Sequence, residues 1–227
     1  MHAKLLVDQG GYEDVRVAFL KEDPLVDNCL DGVESKRVVI VPDFLAEGYF
    51  TRQIIPTKLK LAEQSGVVTY APPVGTHPMM GDLLEEAAKS LLGDWSMKET
   101  GLLVIGHGSG KNPCSKQTLL HHLQEIRQRS EWGQVQDLWL EEAPRVTDWR
   151  DVAVLKQLIV IPYLLNDGQH GGWDIPEDLG LAEGVCVHGV THDLDGLEVR
   201  VAHALGTSRR FADAIAAIAS LWGGSLK

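Results

Sequence analysis

Two stretches of this chain repeat one another at a fixed offset, which limits the fold more than any other feature. Residues 38–56 read VVIVPDFLAEGYFTRQIIP and residues 158–176 read LIVIPYLLNDGQHGGWDIP. Pro42, Gly48 and Pro56 fall on Pro162, Gly168 and Pro176, an offset of 120 residues (162 − 42). The register extends upstream, where Leu20 and Pro24 meet Leu140 and Pro144, and downstream, where Leu61-Ala62-Glu63 meets Leu181-Ala182-Glu183. Solenoid repeats run at roughly 20–50 residues, so this longer period marks a duplicated domain. The differences between the copies then point to chemistry. Phe50 stands where the second copy has His170, Lys21 where it has Glu141, and Ile54 where it has Asp174.

A chain of 227 residues accommodates two domains of ordinary size. We expect one half over residues 1–95 and the other over 96–227, joined through a linker near 93–100. The net charge of −11 argues against a nucleic-acid surface, which needs a basic stripe. A local pair such as Lys111 and Lys116 could still serve an anionic ligand. Cys29, Cys114 and Cys186 show no CxxC spacing and read as reduced thiols in a cytoplasmic protein, not as disulfides or a zinc or iron–sulfur site. The opening MHAKLLVDQ lacks the apolar stretch of a signal peptide. No run approaches the ~18 apolar residues of a membrane helix.

Short β-rich runs alternate with helical stretches in both copies. In the second copy the strands are expected at 102–105, 135–140, 158–161 and 198–201, with helices at 115–129, 147–155 and 209–221. The helical stretches carry apolar residues at three- and four-residue spacing, as in Leu119, Leu120, Leu123 and Ile126. In the first copy, strands are expected at 15–20, 38–41 and 67–70, with a last helix from about 79 to 92. Such alternation builds βαβ units, so the fold class is α/β: two similar flavodoxin-like parallel-sheet halves with a cleft between them. Gly75-Thr76 and Gly206-Thr207 are 131 residues apart (206 − 75), so the second copy holds an 11-residue insertion (131 − 120). It falls within 184–196, a Gly/Asp/His-rich stretch that reads as loop.

The second copy opens on a strand, GLLVIGHGSG, whose equivalent in the first copy would precede Met1. In a flavodoxin-like order that strand lies inside the sheet, where an unpaired ladder is not tolerated. Three arrangements would resolve this: a chain that begins earlier, a second copy or another chain that completes the first half, or a strand at residues 3–7 in place of a helix tail.

Ligands of open parallel sheets bind beyond the carboxyl ends of the strands. His107 follows the first strand of the second copy, Glu141 the second, and His170 lies on the loop after the third. Two imidazoles and a carboxylate on one rim suit a divalent metal or proton transfer near neutral pH. Glu142, beside Glu141, is the competing choice for the inward carboxylate. The GHGSGKN turn is not a phosphate loop, since Lys111 is followed by Asn112 instead of Ser or Thr. It is not a nucleophile elbow either, because His107 occupies the required glycine position before Ser109. What remains is a glycine-rich turn that presents His107 and offers Gly108 and Ser109 to a ligand, with Lys111 nearby. Trp173 could stack on a flat substrate or anchor the core. Asp167 or Asp174 could orient His170. Asp174 is the better candidate for capping the helix entered through Pro176. His188, His192 and His203 read as surface or structural residues.

GHGS at a strand end, WLEEAP at the next and IPxxxxDGxHxxxDIP at the third resemble the class II tetrapyrrole chelatases, specifically the sirohydrochlorin cobaltochelatase and ferrochelatase group. APPVGTHP at 71–78 is similar to that family's PPLGxHP segment, with HALGTS as its counterpart. The resemblance implies two flavodoxin-like halves closing over a cleft in which a divalent metal enters a metal-free tetrapyrrole. It implies that His107 and His170 face the metal and that Glu141 assists metal binding or proton removal. One active site is then expected, on the second copy, with the first copy as the opposing wall. The substrates would be a tetrapyrrole, as in siroheme or cobalamin biosynthesis, and Co²⁺, Fe²⁺ or Ni²⁺, with no organic cofactor. Two other classes stay open. One is a non-catalytic tetrapyrrole or metal carrier, or a subunit of a larger assembly. The other is a metal-dependent hydrolase with His107, Glu141 and His170 as ligands.

Overall fold

The computed structural model describes residues 1–64, 66–110, 112–181 and 188–223. In chain order the first half supplies helix α1 (His2–Gln9), strand β1 (Val38–Ile40), helix α2 (Ile55–Lys58), strand β2 (Val68–Tyr70) and helix α3 (Met79–Ser90). The second supplies β3 (Thr100–Gly106), α4 (Cys114–Arg129), β4 (Gln134–Trp139), α5 (Trp149–Val152), β5 (Gln157–Tyr163), α6 (Ile175–Asp178), β6 (Thr191–Asp193), β7 (Glu198–Val201) and α7 (Phe211–Gly223). Among the described residues no helix is long and apolar enough to cross a membrane.

The chain folds into two compact units, one of Met1–His77 with Arg209–Lys227, the other of Pro78–Ser208. Sequence halves and compact units are thus different divisions of the chain. By the repeat, α3 and α7 are equivalent helices. Yet α3 buries Met80, Leu83, Leu84 and Ala88 within the second unit, where it packs on α4 and β5. Arg129 of α4 ties the pair by ion pairs to Asp82 at 2.6 Å and Glu85 at 3.3 Å. Helix α7 instead closes the first unit, packing on α1, β1 and β2, with Phe211 stacked on His2 at 5.2 Å.

The second unit holds a five-stranded sheet in the order β4-β3-β5-β7-β6. Every pair but the last is parallel. Its central strands β3 and β5 are covered on both faces and read as continuous apolar runs, Leu102–Ile105 and Leu158–Ile161 being fully buried. Leu103, Ile105, Leu138, Trp149, Leu158, Val160, Ile175 and Val199 form one core cluster.

Three expectations change. Residues 15–20 do not form a strand; only a single bridge, Phe19 to Leu25, stands there. In the second unit the equivalent strand β4 exists because β3 lies beside it, and residues 15–20 have no such neighbour among the described residues. The equivalent bridge, Trp139 to Arg145, is kept. Residues 3–7 lie in α1, the helix tail that the repeat implies, and not in a strand. The insertion, expected as loop, contributes β6, an antiparallel edge strand on β7; its residues 184–187 lie outside the described set. A two-residue turn joins them. Asp195 (φ 61°) and Gly196 (φ 83°) both take the left-handed conformation that such a hairpin turn requires.

Candidate active site

The register of the sheet builds the site. Gly106 of β3 pairs with both Trp139 of β4 and Tyr163 of β5, so three strands end at one level. Gly106 has to be glycine: a Cβ there would lie 2.4 Å from the Trp139 ring. The ladder continues one step past the strands. Leu140 N–H donates to the Gly106 carbonyl at 3.1 Å, and Glu141 N–H to that of His107 at 3.1 Å. Glu141 is thereby held beside His107, its Oε1 lying 3.8 Å from His107 Nδ1. That separation is too long for a hydrogen bond and close enough for electrostatic coupling.

Glu142 has a different task. Its Oε1 accepts the Ser109 N–H at 3.2 Å and its Oε2 accepts Lys116 Nζ at 3.1 Å. The carboxylate lies against Gly108, where φ is 75° and a Cβ would meet Oε1 at 2.9 Å. Glu142 therefore fastens the turn that presents His107. Ser109 Oγ closes the same turn by accepting the Asn112 N–H at 3.3 Å. Lys111 lies outside the described residues.

His170 arrives from β5 on a single wide turn, the π-helical segment His170–Asp174, followed directly by α6. Such turns recur at functional sites. The first copy preserves the scaffold as Phe50–Ile54 but has Phe50 and Ile54 at the two polar positions. In the second copy Asp174 Oδ2 lies 2.6 Å from His170 Nδ1, and Oδ1 accepts Gln169 Nε2 at 3.0 Å. Asp174 makes no side-chain capping bond to α6, which corrects the capping expectation. Its carboxylate turns back because the turn brings residues four apart onto one side. Hydrogen bonds from Gln169 and then His170 hold the Asp174 carboxyl below its usual range, so it stays ionised at neutral pH. Asp167, the other proposed orienter of His170, binds His203 instead at 2.8 Å.

The structure brings His107 and His170 together edge to face, with ring centroids 4.9 Å apart. The two rings are supported alike. His107 Nδ1 lies 3.0 Å from the Gly108 carbonyl, which can only accept. His170 Nδ1 faces the ionised Asp174. In the neutral form of each ring, Nδ1 therefore carries the hydrogen and Nε2 the lone pair. Both rings are accessible, with side-chain exposures of 42% and 46%, so solutes reach those lone pairs. Trp173, on the same turn, is half exposed and is not part of the core.

Sequence reasoning missed one neighbouring group. His188 and His203 lie with ring centroids 3.8 Å apart and planes tilted by 34°, beside Asp167. The three come from a loop, the insertion and the end of β7, so no single local motif spans them.

The strand-end rim of this α/β parallel-sheet unit thus gathers two supported imidazoles and a carboxylate, where the first copy has Phe50 and Lys21 in place of His170 and Glu141. The CbiX family model matches residues 1–91 and 101–220, and the chain belongs to this family of class II tetrapyrrole chelatases, which are metal-insertion enzymes. It is 32% identical to the probable sirohydrochlorin cobaltochelatase of Halobacterium salinarum, over 94% of this chain and 82% of that one. The solved structure of CbiX, described as the terminal enzyme for biosynthesis of siroheme in denitrifying bacteria, is 25% identical with a TM-score of 0.67, over 95% of this chain and 87% of that one. SirB from Bacillus subtilis, solved with Fe³⁺, shares the fold at 14% identity and a TM-score of 0.78, over 98% and 87% of the two chains. The Deinococcus radiodurans protein DR2241, a multi-domain protein with structural similarity to chelatases, shares it at 21% identity and a TM-score of 0.77; this chain covers 50% of that one and aligns over 99% of itself.

Proposed function

We propose that this chain inserts a divalent first-row metal ion, cobalt first among them, into sirohydrochlorin in the cytoplasm without an organic cofactor. The observation that carries the reading is the His107–His170 pair, each ring with Nδ1 engaged and, among the described residues, no hydrogen bond at Nε2. The name of the Halobacterium relative supports the choice of macrocycle and of cobalt.

Metal and macrocycle are both substrates. Insertion exchanges two pyrrole N–H protons for one M²⁺, so the protein must hold an ion and dispose of two protons. The two Nε2 lone pairs replace water on the incoming ion. Two imidazoles are an incomplete ligand set, which lets the ion leave for the macrocycle nitrogens. As it leaves, the freed lone pairs and the Glu141 carboxylate accept the displaced protons and pass them to solvent. Asp174 fixes the His170 ring and strengthens its Nε2 as a donor.

The direct test is anaerobic metallation of sirohydrochlorin with Co²⁺, Fe²⁺ and Ni²⁺, followed by the visible absorbance of the product. Acceleration over a protein-free blank, greatest with Co²⁺, is expected. No acceleration with any ion sinks the reading, and saturable binding without turnover would make the chain a carrier. Asp174→Ala is expected to weaken Co²⁺ binding at the histidine pair by about 10–100-fold, the usual cost of removing an orienting partner. Titrating Co²⁺ against the visible ligand-field bands measures it; undiminished affinity removes Asp174 from that role.

A further inference from the structure

Strands β5 and β7 are neighbours in the sheet, and their carboxyl ends carry a second set of metal-binding side chains. Asp167 follows β5, His203 follows β7, and His188 comes from the insertion before β6. One carboxylate oxygen and one ring nitrogen from each histidine all lie within 4.8 Å of one another. We propose that Asp167, His188 and His203 form a second site for a divalent first-row ion, separate from the His107–His170 pair.

The surrounding bonds are those a metal site needs. His188 Nδ1 lies 3.0 Å from the Ala202 carbonyl, so in the neutral ring Nδ1 carries the hydrogen and Nε2 the lone pair. His203 Nδ1 lies 2.8 Å from Asp167 Oδ2, so these two ligand atoms already adjoin, and an ion binding between them takes the place of the hydrogen they share. Asp167 is itself pinned, its Oδ1 accepting the Ala204 N–H at 2.6 Å. A ligating imidazole that passes its other N–H to a carbonyl or carboxylate is the standard support of a bound metal. The rings lie with centroids 3.8 Å apart and planes tilted by 34°, which brings two imidazoles together beside one carboxylate. Imidazole and carboxylate donors suit Co²⁺, Ni²⁺ or Zn²⁺, and the partial exposure of the cluster leaves positions for water.

The cluster uses none of the first site's ligands. Asp167 nevertheless lies on the loop that carries His170, so both sets occupy one rim of the second unit. In a metal-inserting enzyme the cluster would hold an ion before transfer. That role rests on the metallation reading; the binding does not.

Co²⁺ titration of the full chain, read by calorimetry and visible spectra, decides the matter. Wild type is expected to bind two ions. His107→Ala with His170→Ala should retain one, and His188→Gln with His203→Gln should retain the other, the lost site weakening by at least about 10-fold. All four together should retain neither. Circular dichroism confirms folding, and single His203→Gln, at an exposed position, substitutes should the double variant not fold. The inference is overturned if the His107→Ala, His170→Ala chain binds no Co²⁺, or if its binding is unaffected by substitution at 188 and 203. Two ions bound without metallation would sink the proposed function and leave this site standing; metallation with one ion bound would do the reverse.

Discussion

Replacing His170 by alanine is expected to lower kcat for cobalt insertion by about 10²–10⁴-fold, the range spanned by loss of a positioned proton acceptor. His170 supplies an ion ligand and a base in one group, and its lone pair is directed by Asp174 at 2.6 Å. His107→Ala should fall in the same range. The double variant should cost little more than either single one, because both rings act on one ion and their effects do not add. The first copy supplies the contrast: it has the same wide turn with Phe50 in place of the histidine, and Phe50→Ala should leave the chemical step near its original rate. Because the His170 side chain is 46% exposed, its truncation should barely move thermal unfolding. Anaerobic stopped assays at saturating metal and tetrapyrrole measure kcat, and a His170→Ala rate within threefold of wild type would remove His170 from the chemistry.

Gly206→Ala carries a large expected effect on stability. A Cβ at Gly206 would stand 2.3 Å from the Leu165 carbonyl oxygen and 2.6 Å from its Cα. Those are backbone atoms, so no side-chain rotation relieves the overlap. The Gly206 N–H also donates to the Leu164 carbonyl at 2.9 Å, fixing the strand-end loop from which Asp167 and His170 project. Overpacking of this kind costs about 1–3 kcal/mol, and a shift of the backbone is the only remedy. Thermal unfolding should drop by on the order of 5–10 °C. Metallation should fall as well, since the displaced loop carries His170. Gly172→Ala, on the same loop with nothing within 4 Å of its Cβ, is the control and should unfold at the wild-type temperature. The first unit repeats the device at Gly75, 2.0 Å from the Leu45 carbonyl. Equal unfolding temperatures for Gly206→Ala and Gly172→Ala would refute the argument.

Much of this arrangement is legible in the sequence because parallel strands declare themselves. The buried runs at 102–105 and 158–161 have no polar alternation, and their ends fall at one level, so the residues just beyond them converge. That places His107, Glu141 and His170 together from spacing alone. Residues 15–20 mislead for the opposite reason: a β-rich run is a strand only when a neighbour accepts its ladder. The Asp195-Gly196 pair is a hairpin signal that sits inside a stretch whose composition reads as loop. Which carboxylate serves which histidine depends on side-chain direction in a wide turn, and spacing does not encode it. Asp167, His188 and His203 stay hidden because 21 and 15 residues separate them (188 − 167 and 203 − 188), across an insertion with no counterpart in the other copy. The packing of α3 and α7 is equally silent. Both are amphipathic helices of similar length, and an apolar stripe does not name the sheet that covers it.

That exchange of helices bears on how the protein is made. A ribosome delivers domains from the N-terminus, and the first domain ordinarily folds first. Here the second unit is complete once Ser208 has emerged, whereas the unit containing Met1 must wait for α7 at Phe211–Gly223. Residues 1–77 are thus made before the second unit and enclosed after it. While the second unit is being made, β1 and β2 remain without the helix that covers them, so the nascent chain must protect this apolar surface until α7 emerges.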